Sequence, residues 1–208
     1  MAIKPILFNT KMVRAILDGR KDATRRIVKG FIPDDAVWGY TAFTPKGYIS
    51  CRGTFADGYG EKFFKLPCEP GDILYVRETW KKAPNGYYYY EDWQRNDIAD
   101  VTKWKPSIHM PKEAARIWLK VTDVRVERLQ EITEDGCIAE GIYPSNCRGC
   151  NATFGCDVCP DEGYDEVDKF VEVWNSTIKK SDLDRYGWDA SPWVWVIEFE
   201  RCEKPEVN

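Results

Sequence analysis

Pro70-Gly71-Asp72-Ile73-Leu74-Tyr75-Val76-Arg77-Glu78 reads as a turn followed by a strand. Pro-Gly-Asp is turn chemistry, and the short apolar run behind it has the length and composition of a buried strand. Arg77 and Glu78 leave its far end together as a charged pair. Similar signals lie on either side. Ile117 to Leu129 alternates, with Ile117, Leu119 and Val121 on one face and Val124 and Val126 resuming after a bulge expected at Thr122-Asp123. Trp193, Trp195, Ile197 and Phe199 alternate near the end of the chain, and Tyr87 to Tyr90 forms an aromatic strand. Upstream, Ile3 to Phe8 is apolar but interrupted by Pro5, which suits an edge or a strand start.

Helices are few and short. Asn9 or Thr10 can cap one whose apolar positions are Met12, Val13, Ile16 and Leu17, with Gly19 placed for a left-handed stop. Thr133 caps a second, with Glu134 and Asp135 in its first turn. Val167, Phe170, Val171, Trp174 and Ile178 share one face of a third. Residues 30–66 hold an inserted meander: Val37 to Phe43 and Tyr48 to Arg52 flank the turn Thr44-Pro45-Lys46-Gly47, and the glycine-rich Gly53 to Gly60 reads as a loop. Asp92 to Met110 reads as a long loop. The fold class expected is α+β, a small mixed β-barrel with a few short helices, in one domain over residues 1–208.

At 208 residues with 31% charged side chains, the chain reads as globular. Its 9 Trp, 11 Tyr and 9 Phe suit a β-rich core or, alternatively, stacking platforms for flat ligands. A net charge of −4 argues against non-specific binding of duplex DNA by the whole surface. No membrane span or signal-peptide core is legible, so a cytoplasmic location is expected.

Cys147-x2-Cys150 and Cys156-x2-Cys159 are separated by five residues. Paired CxxC turns bring four thiolates to one point, the donor set of structural Zn²⁺. Disulfides or free thiols are the alternatives; the spacing and a reducing compartment favour zinc, in a knuckle inserted over residues 143–162. Four thiolates fill the coordination sphere and leave no place for a catalytic water. Cys51, Cys68, Cys137 and Cys202 lack such spacing and read as ordinary thiols.

Gly19-Arg20-Lys21-Asp22-Ala23-Thr24-Arg25-Arg26, the Pro70–Glu78 stretch, Thr133-Glu134 with Glu140, and the closing Trp195-Val196-Ile197-Glu198-Phe199 occur in an order that resembles the ASCH family of PUA-like barrels. Trp104-Lys105-Pro106-Ser107-Ile108-His109-Met110-Pro111 and Pro192-Trp193-Val194-Trp195 are similar to its bacteriophage and prophage branch. The resemblance covers residues 3–28, 70–142 and 164–201. It implies a PUA-like fold and, by similarity to bacterial N4-acetylcytidine amidohydrolases, a catalytic Lys21, Thr24 and Glu140. That family usually has Thr after the lysine; here Asp22 adds a negative charge.

Amide cleavage needs a nucleophile, a proton carrier and a group for the oxyanion. Thr24 could attack. Lys21 could act as base only if its pKa fell by about 3, so Glu140 is favoured as proton carrier and a charged Lys21 as oxyanion stabiliser. Arg77, Glu78 and Trp80 could line a cleft in which a base is met at its edge and stacked; a solvated ion pair is the alternative. His109, the single histidine, and Arg26, in the one basic cluster, are further substrate-binding candidates. The expected activity is hydrolysis of an acylated or otherwise modified pyrimidine nucleoside. The alternatives are a non-catalytic module that binds RNA or modified nucleic acid, and an accessory domain that binds another protein.

Overall fold

The computed structural model describes residues 1–94, 103–142 and 166–205. Five strands form the main sheet: β1 (Ile3–Leu7), β2 (Ala23–Ile27), β6 (Ile73–Arg77), β9 (Trp118–Arg128) and β10 (Trp193–Cys202). Their spatial order is β1-β6-β9-β10-β2, with β1 parallel to β6 and the other pairs antiparallel. A second sheet holds β3 (Val37–Gly39), β4 (Tyr48–Phe55) and β5 (Gly58–Lys65). A hairpin joins β7 (Trp80–Ala83) to β8 (Gly86–Tyr89). The helices are α1 (Thr10–Leu17), α2 (Tyr90–Gln94), α3 (Glu134–Ala139), α4 (Glu166–Thr177) and α5 (Leu183–Tyr186).

The result is a mixed α+β fold dominated by sheets, and no closed barrel forms among the described residues. The main sheet stays open, with β1 and β2 as its edges. Pro5 suits the β1 edge because it has no N–H to give to a further strand. In place of a ladder, Arg26 Nη2 reaches across and donates to the Leu7 carbonyl oxygen at 2.9 Å.

β10 separates two of the three buried clusters that the described residues form. Its alternate side chains Trp195, Ile197 and Phe199 join α1 residues Val13 and Ile16 in one buried cluster. Val194 and Val196, pointing the other way, pack with Cys137 of α3 and with Phe170 and Trp174 of α4. Burying each of these aliphatic side chains stabilises the fold by roughly 1.5–3 kcal/mol. The bulge falls where alternation breaks: Glu198 pairs with Asp123 and Phe199 with Val121, so Thr122 is the extra residue. The three-stranded sheet docks through Trp38, whose ring meets Phe64, Trp193 and Trp195 edge-on at 5.1, 5.7 and 6.2 Å.

Two expectations are corrected. Gly53 to Gly60 is no loop; it spans the end of β4, a two-residue turn and the start of β5, with Phe55 paired to Gly58. A Cβ on Gly53 would stand 2.7 Å from Pro33 Cγ and 2.9 Å from Asp35 Oδ1, so this glycine marks a close approach of chain to strand. The strand expected from Val37 ends at Gly39, and Phe43 lies 83% exposed beyond it. Cys147, Cys150, Cys156 and Cys159 lie outside the described residues, as does most of the 143–162 segment.

Candidate functional site

Two helix ends build the site. After α1, Gly19 adopts φ +74° and the Arg20 and Lys21 amides both donate to the Ala15 carbonyl oxygen. Thr133 caps α3 by accepting from the Gly136 amide at 3.1 Å, and Glu140 closes the helix. Lys21 and Glu140 then meet in an isolated antiparallel bridge, and the Asp22 amide donates to the Ala139 carbonyl oxygen at 3.0 Å. Gly141 makes this contact possible. Its φ is +90°, and a Cβ there would lie 2.7 Å from Ala15 Cβ and 3.1 Å from Lys21 Cβ.

Lys21 is buried, with its side chain fully shielded from solvent. Its Nζ donates to Glu140 Oε2 at 2.6 Å, to the Glu140 carbonyl oxygen at 2.9 Å and to the Ala23 carbonyl oxygen at 2.7 Å. Three acceptors match the three hydrogens of an ammonium. Burial nonetheless holds the Lys21 pKa below its ordinary value, against the opposing pull of Glu140; the Arg25 and Arg26 charges add to the lowering. The site is thus a charged pair whose lysine gives up its proton more readily than a lysine in water.

Thr24, Arg25 and Arg26 follow on β2. Because β2 is a sheet edge, residues of both its faces can border one space. Thr24, Arg25, Arg26 and Glu140 border a cavity of about 40 Å³, closed on the far side by Phe170, Val173 and Trp174 of α4. Thr24 is only 2% exposed. The Arg25 side chain is equally buried; its Nη2 lies 3.4 Å from Glu127 Oε2 and its Nη1 3.5 Å from Glu140 Oε1. Neither Arg25 Nε, Arg25 Nη1 nor Glu140 Oε1 has a hydrogen-bond partner among the described residues. Lys21 and Arg25 therefore both face Glu140, and Arg25 shares Glu127 with Arg125.

The structure brings Lys21 and Glu140 into contact and sets Thr24 and Arg26 with Glu140 on one cavity, which Lys21 does not line. The other candidates lie in a separate network with internal partners. Arg77 and Glu78 are adjacent on an extended chain and diverge to opposite sides. Arg77 Nε donates to the Met110 carbonyl oxygen at 2.8 Å and its Nη2 to that of Ile108, fixing the short turn that carries the exposed His109. Glu78 accepts both forks of Arg116, at 2.9 and 3.0 Å, and Arg116 also donates to both oxygens of Asp92. Burial raises the Glu78 pKa and Arg116 opposes it. Trp80 is 4% exposed, packed with Met110 and Trp118 and covered by the Lys105 ammonium 5.1 Å from its ring. The stacking wall expected from Glu78 and Trp80 is therefore corrected: the carboxylate is engaged and the indole lies within the core.

Sequence reasoning missed Arg116. Arg116 sits inside the apolar run Ala114-Ala115-Arg116-Ile117-Trp118, where a charge must find a buried partner. Arg25 reads as one member of a basic cluster with Arg20 and Arg26, either meeting a phosphate or solvated; it is instead buried. No protein-family model matches the chain, and comparisons with curated proteins and with solved structures give no match.

Proposed function

We propose that the chain hydrolyses an acylated pyrimidine nucleoside, as an N4-acetylcytidine-type amidohydrolase on a PUA-like ASCH fold. The observation that supports this is the buried Lys21–Glu140 pair, at 2.6 Å, beside a cavity that Thr24 and Glu140 both line. A threonine hydroxyl and a carboxylate around one enclosed space are the minimum for acyl transfer.

In this reading Thr24 Oγ attacks the acyl carbonyl carbon and its proton passes to Glu140 Oε1. The C–N bond then breaks, and Glu140 returns the proton to the departing amine nitrogen. Water hydrolyses the resulting threonine ester. Lys21 holds Glu140 through Oε2, which leaves Oε1 for proton traffic. A cavity of about 40 Å³ has space for a few waters or a short acyl group, since one water needs roughly 10–15 Å³. The pyrimidine ring therefore sits at the mouth, where half-buried Arg26 stands.

The test measures cytidine release from N4-acetylcytidine by wild type, Thr24→Ala and Glu140→Gln. Removing the nucleophile or the proton carrier should lower the rate at least about 100-fold, as losses of such groups do. A Thr24→Ala variant as fast as wild type would rule the mechanism out.

A further inference from the structure

We infer that the open cleft between the two edge strands, β1 and β2, binds an aliphatic acid of medium chain length, with its carboxylate on Arg26. The site is independent of the hydrolase reading.

The cleft holds about 350 Å³, inside the range of small-molecule sites, which begins near about 300 Å³. Buried Ile6 and Ile197 form its floor, and Pro5, Leu7 and Pro67 form an exposed rim. Such a lining accepts an apolar body. Among the described residues no aromatic side chain lines the cleft, so a nucleobase has nothing to stack on. An added peptide strand is also disfavoured. Pro5 has no N–H to give to a ladder, and the Leu7 carbonyl oxygen is already taken by Arg26 Nη2.

Arg26 supplies the charge. Its guanidinium lies over the Phe8 ring, 5.3 Å from the centroid, and donates to Leu7 at 2.9 Å. It engages no other protein acceptor among the described residues, and no carboxylate among them stands within ion-pair distance of it. Glu140 is held instead by Lys21 and Arg25. Lys4, the other cation on the cleft, is paired with Asp72 at 2.9 Å, and Asp72 also accepts from the Ala2 and Glu69 amides. One guanidinium without an acid partner, beside an apolar wall, complements a single carboxylate on a hydrocarbon chain.

The test is calorimetric titration of the full chain with sodium hexanoate, heptanoate and octanoate below their micelle concentrations, beside neutral hexanamide. Octanoate should bind saturably at one per chain. Each added methylene should tighten Kd by up to about 4-fold, as burial of a CH₂ group does. Hexanamide should bind at least about 10-fold more weakly than hexanoate, and Arg26→Gln should weaken octanoate by as much, the loss of a hydrogen bond to a charged group. Arg52→Gln, a control on the exposed side of β4, should bind octanoate like wild type. Should Arg26→Gln fail to fold, Leu7→Glu sets a competing carboxylate at the exposed rim and should abolish binding. No saturable octanoate binding, a Kd independent of chain length, hexanamide binding as tightly as hexanoate, or octanoate binding unchanged in Arg26→Gln or Leu7→Glu overturns the inference. Turnover of N4-acetylcytidine is read in parallel. Octanoate binding through Arg26 without turnover keeps this site and removes the hydrolase; turnover without octanoate binding does the reverse.

Discussion

Lys21 and Glu140 set the terms at the residue scale. A charged pair taken out of water gains less than its short distance suggests, because both ions lose hydration. Breaking it is worse than lacking it. Lys21→Met and Glu140→Leu should each lower the unfolding free energy by about 3–5 kcal/mol, since each strands a buried charge. The double variant should lose clearly less than the sum of the two, which denaturant titration of all four proteins would measure. Strict additivity would contradict a direct pair. The cysteines give a pH-dependent counterpart. Burial pushes the Cys51 and Cys68 thiols up to about 11 from an ordinary 9.0. A raised folded pKa means the unfolded chain releases the thiol proton first. Stability from these neutral thiols is then complete below pH 9 and is lost as pH rises towards 11. Both should resist alkylation at pH 8 in the folded protein, and Cys51→Ala should flatten the decline between pH 9 and 11.

Elements were legible where local chemistry and burial agree. Asn9 caps α1 through the Met12 amide, Thr133 caps α3, Pro5 sits on an edge strand and Thr122 is the bulge residue. Each follows from a side chain acting on nearby backbone, which sequence carries directly. The β4–β5 hairpin was not legible, because its glycines serve a close approach by Pro33 and Asp35 from outside the strand. Arg116 was hidden for a similar reason, its partners Glu78 and Asp92 being 38 and 24 residues away. The loop after α3 offers the sharpest test at this scale. Gly141→Ala places a methyl against Ala15 Cβ at a left-handed φ. It should cost about 1–3 kcal/mol and loosen the Lys21–Glu140 bridge. Hydrogen exchange at the Asp22 amide, which bonds to Ala139, should speed up with it; unchanged exchange would mean the two helix ends are held by something else.

For the whole molecule, the open main sheet with its two edge strands supports a cleft between β2 and α4, and the proposed chemistry lies there. The metal expectation belongs at this scale as well. Protein purified without added zinc should carry close to one equivalent per chain, held by Cys147, Cys150, Cys156 and Cys159, and replacing Cys147 with Ser should abolish it. Metal content near zero in reduced material would contradict the knuckle. Because four thiolates leave no open position, loss of zinc should lower stability before it touches chemistry. The central claim is that the Lys21–Glu140–Thr24 corner cleaves an acyl amide. The most direct measurement is cytidine released from N4-acetylcytidine by the purified full chain. Steady release by wild type that falls at least 100-fold in Thr24→Ala is the expected result. No release from any acylated cytidine, together with RNA binding that Lys21→Ala weakens with a smaller salt slope, would contradict the claim and identify a binding module instead.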